Sequence, residues 1–188
     1  MDLRPDPDLR LAWRILDAYD APDEAQGEVR ARIMGWIEEH PENAHERSCL
    51  AGHLTGSVML MDHARERVLL TLHKKLGIWL QLGGHCDGDA NLVHVAWREA
   101  QEESGISAID IDPLPIDLDI HRIPEHKGVP AHLHLDTRFV AYAAAGTREV
   151  MSEESLELRW FALDELQGLG CDASMLRSAE RVRERLGG

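Results

Sequence analysis

The chain has a shortage of basic residues. Lysine and arginine together number 20 of the 188 residues, whereas aspartate and glutamate number 34, so the formal net charge is -14. A surface of that sign repels phosphate backbones and anionic lipid headgroups, which argues against binding to nucleic acid polymers or to membranes. A small phosphorylated substrate stays compatible with this charge, because a bound cation can reverse the potential locally.

The sequence also has little cysteine and no long apolar run. Cys49, Cys86 and Cys171 are odd in number, widely spaced and outside any CxxC pattern, so neither a disulfide framework nor a zinc ribbon is expected. Met1 leads directly into charged sequence, and no apolar stretch approaches the roughly 20 residues that a membrane span needs. We therefore predict a soluble protein of a reducing, cytoplasmic compartment.

Two helices are predicted before the first strand. Apolar residues recur at helical spacing from about Asp8 to Tyr19, and Pro22 suits the start of a second helix that ends at His40-Pro41. So short a hairpin has little core of its own. We predict an N-terminal extension, residues 1–48, packed on a main domain, residues 49–188. The extension could cover a pocket, form a homodimer interface or only stabilise the sheet.

Beyond residue 50, alternating segments rich in β-formers are mixed with helical ones. The predicted elements are strands at Gly52–Met61, Arg67–Leu72 and Ile78–Leu82, a helix at Asn91–Ser104, strands at Ile109–Ile111, Ile116–Ile123, His132–Ala143 and Leu156–Phe161, and a closing helix at Asp172–Leu186. This mixture predicts an α/β fold in which helices cover the faces of a sheet.

The segment between the third strand and the first internal helix carries the main chemical signal. Its sequence from Gly83 to Ile106 is GGHCDGDANLVHVAWREAQEESGI. Gly83 and Gly84 permit a tight backbone path between a strand and a helix, where amide groups can approach an anion. We therefore predict a phosphate-binding turn at this glycine pair.

Three glutamates follow on one face of the predicted helix. Glu99, Glu102 and Glu103 stand at positions i, i+3 and i+4, so their carboxylates converge. A hard divalent cation relieves the repulsion among them, and Arg98 is spaced to form an ion pair with Glu102. Such a site suits phosphate chemistry, because metal ions bridge phosphate oxygens and lower the pKa of bound water. A solvated acidic helix face is the alternative interpretation.

The full spacing resembles the signature of the Nudix hydrolases, G-x5-E-x7-R-E-U-x-E-E-x-G-U, in which U is aliphatic. The matching residues are Gly84, Arg98-Glu99-Ala100, Glu102-Glu103 and Gly105-Ile106. The resemblance covers roughly Leu50 to Leu166. It implies a Nudix-type α/β/α sandwich with a mixed sheet, dependence on Mg²⁺ or Mn²⁺, and hydrolysis of a diphosphate linkage in a nucleoside diphosphate joined to some other moiety.

The resemblance also implies roles for single residues. By position, Glu102 and Glu103 would be metal ligands, Glu99 a ligand or the base that acts on water, and Arg98 the residue that orients the glutamates. The first glutamate of the signature is Ala90 here, and Asp89 would substitute for it only if the loop shifted by one residue. Ala90 thus motivates the alternative of a nucleotide-binding module that does not hydrolyse its ligand.

Four polar residues alternate along a predicted strand and so face one side of the sheet, namely His132, His134, Asp136 and Arg138. We predict that they form a polar wall of the pocket and, with Gly83, Gly84 and His85, bind substrate or phosphate. A second metal site and a solvent-facing strand are the alternatives. A histidine comparable to His85 is a metal ligand in isopentenyl-diphosphate isomerases, which share the Nudix-type fold, so a prenyl-diphosphate isomerase is a further alternative. Glu153 and Glu154 are predicted as an acidic turn or as a further carboxylate of the site.

Overall fold

The computed structural model of the chain describes residues 2–74, 77–126, 128–152 and 155–187. Glu153 and Glu154, the predicted acidic turn, lie outside the described residues. Within the described part, no helix is both long enough and apolar enough to span a membrane.

The two N-terminal helices form as predicted, and each begins at an aspartate. Asp8 caps α1 (Leu9–Asp17) and Asp23 caps α2 (Glu24–Glu39), each by accepting a hydrogen bond from a backbone N–H of the first turn. The predicted first helix was longer at its C-terminal end, where the backbone leaves the helix after Ala18.

Across the residues that the structure describes, the strands form one eight-stranded mixed sheet. They are β1 (Gly52–Met61), β2 (Arg67–His73), β3 (Trp79–Leu80), β4 (Leu82–His85), β5 (Ile109–Ile111), β6 (Asp117–Ile123), β7 (His132–Ala143) and β8 (Ser155–Ala162). The central strand β1 is buried along its whole length. It pairs antiparallel with β2 and β4 and parallel with β7, in a register that runs from Gly52 opposite Leu133 to Met61 opposite Tyr142.

Helices cover both faces of this sheet. On one face, α3 (Leu92–Ser104), α1 and α2 pack in a single buried cluster with alternate residues of β1, such as Val58 and Leu60. On the other face, α4 (Ala173–Gly187) packs on the intervening residues Met59 and Met61. The side chains of β1 thus point alternately into two hydrophobic cores, one on each face of the sheet. The predicted α/β/α sandwich with a mixed sheet is confirmed.

The predicted strand Ile78–Leu82 is wrong in its bounds. It is interrupted at Gln81, and a separate strand, β4, continues through the glycine pair to His85. A pair of glycines shows no alternation of side chains, so the pattern gave no sign of a strand. The glycine backbones nevertheless pair with β1, where Gly83 lies opposite Ser57 and Gly84 opposite Gly56.

The N-terminal helices share the core of the sheet. Leu16 of α1 and Ile33 of α2 are fully buried and belong to the same cluster as Leu54 of β1. Gln26 of α2 is also buried and forms hydrogen bonds to both the N–H and the carbonyl of Leu118 in β6. The division of the chain at residue 48 stays a prediction.

Candidate active site and histidine cluster

The glutamate helix is fixed at both ends by its own sequence. The Asn91 side chain accepts a hydrogen bond from the N–H of His94 at the start of α3, and Gly105 ends the helix in the left-handed conformation, with φ of 68°. On the sheet side, a Cβ atom at Gly56 would lie within 3.2 Å of backbone atoms of α3. The absence of that side chain lets α3 pack directly on β1, with its glutamates beside β4.

Two of the three predicted glutamates converge on the glycine pair of β4. A Cβ atom at Gly84 would lie 2.5 Å from the Glu99 carboxylate, so only glycine leaves room for that carboxylate against the strand. The N–H of Gly83 donates a hydrogen bond to Glu103 Oε2 at 3.3 Å. Glu102 is exposed to solvent on the same helix.

Arg98 orients Glu99, whereas its predicted ion pair was with Glu102. Its Nη2 lies 2.7 Å from Glu99 Oε1 and also donates to the carbonyl of His85 at 2.8 Å. The ion pairs of the described residues include Arg98 with Glu99 and none between Arg98 and Glu102. The physical reason is burial: the Glu99 side chain is 15% exposed and lacks the water that solvates Glu102.

Burial also changes the proton affinity of Glu99. Loss of water raises the pKa of this carboxyl, and the Arg98 guanidinium, which lowers it, does not fully compensate. A second positive charge near Glu99 would favour the ionised form. Carboxylate oxygens suit a hard divalent cation such as Mg²⁺ or Mn²⁺, so Glu99 and Glu103, which border the glycine pair of β4, fit the metal that the signature implies.

Ala90 and Asp89 are both hydrogen-bonded to the segment that precedes α1. Ala90 is fully buried, and its N–H donates to the carbonyl of Asp6. The Asp89 carboxylate accepts hydrogen bonds from the N–H groups of Asp6 and Asn91 and pairs with His94 Nδ1 at 2.6 Å. Asp89 therefore ties the N-terminal segment to the start of α3, and the structure does not place it as a substitute for the missing glutamate.

A histidine cluster lies on the face of the sheet that α4 covers. The ring centroids of His53, His132 and His134 are 4.9 to 5.2 Å apart. Each ring offers one nitrogen such that the three nitrogens lie within 4.8 Å of one another. Among the described residues, this is the one group of three metal-ligand side chains gathered so closely, and the glutamates are not.

His85 borders the same cluster. Its ring lies 4.9 Å from the ring of His134 and 5.1 Å from that of His53. Burial, reinforced by repulsion from neighbouring positive groups, lowers the pKa of His85 to about 4 and that of His134 to about 2. Both rings are therefore neutral at pH 7, and the neutral imidazole is the form that binds metals.

Asp136 and Arg138 do not line an open pocket. Both are buried, and Asp136 accepts hydrogen bonds from the hydroxyl groups of Thr55 and Ser57 and from Arg138 Nε. Arg138 also pairs with Asp117 beneath α4. Of the four residues in the predicted polar wall, the two histidines therefore lie in the cluster, whereas Asp136 and Arg138 belong to a buried network of ion pairs.

Sequence reasoning missed His53. It stands directly opposite His134 in the parallel pairing of β1 with β7. The alternation of β1 was visible in the sequence, but the partner of a strand and its register depend on the whole sheet. A histidine at the start of a predicted strand had no other signal to distinguish it.

The fold is shared with known proteins. The family model of the NUDIX domain matches residues 53–180. Among solved structures, a C. elegans Ap4A hydrolase in a binary complex superposes with a TM-score of 0.59 at 18% identity, over 72% of this chain and 98% of that one. The NUDIX domain of Shewanella oneidensis NrtR complexed with ADP ribose gives 0.56 at 19% identity, over 79% and 97%.

A third solved structure, the Nudix hydrolase RenU from M. smegmatis, gives a TM-score of 0.54 at 23% identity, over 72% of this chain and 87% of that one. No curated protein sequence matches significantly. At these identities the structural likeness establishes the fold alone, whereas the family model covers well over half of the chain and includes the glycine pair and the glutamate helix. On this ground the chain belongs to the Nudix family.

Proposed function

We propose that the protein is a metal-dependent hydrolase that cleaves a diphosphate linkage in a small substrate of the nucleoside diphosphate type. The observation that carries the proposal is the convergence of Glu99 and Glu103 on the glycine pair of β4. With Glu102 they would hold Mg²⁺ or Mn²⁺. Such an ion, when bound, neutralises charge on the phosphates and lowers the pKa of a bound water.

The protein's own residues would position the reactants. Arg98 holds the Glu99 carboxylate through one ion pair and holds the β4 backbone through the carbonyl of His85. Glu99 would serve as a ligand of the ion or as the base that accepts the proton of the attacking water. His85 of β4 and His132 and His134 of β7 lie near the start of β1 and would contact the substrate.

A hydrolysis panel with Mg²⁺ and with Mn²⁺ tests this function. The panel holds dinucleoside polyphosphates and ADP ribose, which the structural neighbours suggest, together with nucleoside diphosphate sugars, nucleoside triphosphates, coenzyme A and prenyl diphosphates. Glu103→Gln should lower kcat/KM by at least ~100-fold, more than the ~10- to 100-fold that groups supporting metal ligands contribute. Glu66→Gln, an exposed glutamate in the β1–β2 turn, is the control.

A nucleotide-binding module without hydrolysis is the second candidate, and the buried Ala90 in place of the signature's first glutamate favours it. Binding of panel nucleotides by calorimetry, with no product released under either metal, would establish it. An isomerised prenyl diphosphate with no phosphate-containing fragment released would point instead to the isomerase. Equal turnover by Glu103→Gln and wild type would refute the glutamate mechanism.

The cysteine content favours a reducing, cytoplasmic compartment, and the charge balance is compatible with a small phosphorylated substrate as the partner. A homodimer through the N-terminal helices stays a prediction.

A further inference from the structure

We propose that His53, His132 and His134 form a second metal site, which binds one late first-row divalent transition metal such as Zn²⁺. The site would be distinct from the glutamates in its ligands and in the ion that it selects. It rests on the geometry of the cluster and does not depend on the proposed hydrolysis.

The backbone holds the three histidines in one place. His132 and His134 are two residues apart on β7 and therefore face the same side of the sheet. His53 stands opposite His134 in the neighbouring parallel strand β1. All three belong to the two longest paired strands of the sheet, so their positions do not rely on a loop, and rigid elements give the most defined metal sites.

Hydrogen bonds prepare two of the rings as ligands. His132 Nδ1 lies 2.8 Å from the carbonyl of Pro130, and His53 Nδ1 lies 3.4 Å from the carbonyl of Cys49. A carbonyl only accepts, so each Nδ1 must carry the hydrogen, and each Nε2 then has a free lone pair. Metal-binding histidines show this arrangement, in which the other ring nitrogen donates to a carbonyl or carboxylate.

Two buried nitrogens have nothing to bind. His53 Nε2 and His134 Nε2 are inaccessible to water and find no hydrogen-bond partner among the described residues. A buried polar atom left without a partner costs roughly 1 to 3 kcal/mol. The two orphaned nitrogens belong to two of the three rings in the cluster, and a shared cation would satisfy both.

The donor set determines which ion is selected. Imidazole nitrogen suits Zn²⁺, Cu²⁺, Ni²⁺ and Fe²⁺, whereas carboxylates suit Mg²⁺ and Mn²⁺. Three protein ligands leave a coordination position open for water or for a substrate oxygen. Three neutral imidazoles also leave the full positive charge of the ion in place, which creates a local attraction for phosphate in an otherwise acidic chain.

His85 connects this site to the glutamates. Its ring borders His53 and His134, while its carbonyl accepts a hydrogen bond from Arg98, the residue that holds Glu99. The histidine cluster lies on the face of the sheet that α4 covers, whereas the glutamates of α3 lie at the other face, so the two groups are connected through the β4 backbone at His85.

Titration of the metal-free full-length chain with Co²⁺, in excess Mg²⁺, tests the proposal by visible absorption. We expect one Co²⁺ per chain with the intense bands of a nitrogen-ligated, four- or five-coordinate ion, displaced by Zn²⁺. His132→Asn should weaken Co²⁺ binding by at least ~10-fold, because it removes a partly exposed ring with little loss of packing. His63→Asn, an exposed histidine of the β1–β2 turn, should bind as wild type does.

Glu103→Gln separates the two sites, since it should bind Co²⁺ with wild-type affinity. Should His132→Asn not fold, as judged by circular dichroism, histidine ¹⁵N shifts of the wild-type chain give the same answer. Zn²⁺ should then move Nε2 of His53 and His132, with their Nδ1 remaining protonated. The proposal is overturned if the wild type binds no Co²⁺ in excess Mg²⁺, if His132→Asn binds it equally well, or if Glu103→Gln abolishes binding.

Discussion

Gly84 supports the candidate site by having no side chain. Its Cα borders the Glu99 carboxylate so closely that a methyl group would have to displace it. We expect Gly84→Ala to lower kcat/KM by at least ~10-fold, because a small displacement of a catalytic group has effects of that size or larger. Hydrolysis of the substrate identified by the panel measures this effect, and the unfolding curve in urea shows whether the fold is retained.

Gly35→Ala in α2 is the matched control. A Cβ atom there would meet nothing within 4 Å, and alanine is favoured over glycine in a helix by up to about 1 kcal/mol. This variant should therefore be at least as stable as wild type, with unchanged turnover. Full activity of Gly84→Ala would show that the position of Glu99 does not matter for the reaction.

Asp119 should make the protein sensitive to acid. Burial tends to raise the pKa of Asp119, but the hydrogen bond from His121 and the Arg138 and Arg177 guanidinium groups outweigh it and hold the pKa at about 2. A carboxyl whose folded pKa lies below its unfolded value, ~3.9, stabilises the fold above that value and loses this contribution as the pH falls. The loss should fall between about pH 4 and pH 2, on the order of 2 kcal/mol.

The free energy of unfolding, measured by urea titration at several pH values, tests this. Asp119→Asn should show a shallower decline between pH 4 and pH 2 than wild type. Asp164→Asn, which alters an exposed aspartate, should decline as steeply as wild type does. Parallel curves for Asp119→Asn and wild type would mean that other carboxyl groups cause the acid sensitivity.

At the residue scale, neighbours along one helix could be predicted from the sequence better than neighbours on different strands of the sheet. The glutamates of α3 could be placed on one face from their spacing alone, because helical spacing fixes neighbours along one element. The pairing of Arg98 depends on burial, which spacing does not reveal. The partnership of His53 with His134 depends on strand register, which only the assembled sheet determines.

At the scale of elements, the segment before α1 is attached to the start of α3. Asn91 Nδ2 donates to the carbonyls of Asp2 and Arg4, and the Ala90 N–H donates to the carbonyl of Asp6. The space that a longer side chain at position 90 would need is thus enclosed. Ala90 is a feature of this packing, whatever it does to the rate of hydrolysis.

We therefore expect Ala90→Glu, which restores the signature residue, to destabilise the protein without raising its activity. Burial of an unpaired carboxylate, or displacement of the N-terminal segment, should cost about 2 kcal/mol or more. Urea unfolding and the hydrolysis assay measure the two effects. Ala108→Glu, at an exposed position, is the control, and a stable Ala90→Glu with faster turnover would contradict this account.

Helices and strands that have a capping residue or a clear alternation of side chains were predicted well, whereas a strand that lacks both was not. The glycine at position 105 and the strong alternation of β1 and β7 placed these boundaries correctly. β4 escaped prediction because its glycines carry no side-chain pattern, and only its pairing with β1 makes it a strand.

At the scale of the whole molecule, the N-terminal helices should unfold together with the sheet. Leu16 is fully buried in the cluster that also contains Leu54 and Val95. Leu16→Ala should lower the free energy of unfolding by about 2 to 5 kcal/mol, in one transition seen alike by circular dichroism and tryptophan fluorescence. Leu50→Ala, whose leucine is 60% exposed, should change it by less than ~0.5 kcal/mol. Two separate transitions would instead indicate an independent extension.

The fold class was predictable because the strands and helices expected from the sequence pattern are those that the resemblance to the Nudix hydrolases implies. The order of the strands in the sheet was not predictable, since β1 pairs with strands both near and far along the chain.

The parallel pairing of β1 with β7 has a consequence for the order of folding. Thr55 and Asp136, joined by a hydrogen bond across this pair, are 81 residues apart in sequence. Contacts that close so long a loop form late and slow the folding of the domain. During synthesis, His53 must wait until β7 has left the ribosome before it meets His134. The histidine cluster is therefore a late part of the molecule to assemble, and its presence reports that β1 and β7 have paired.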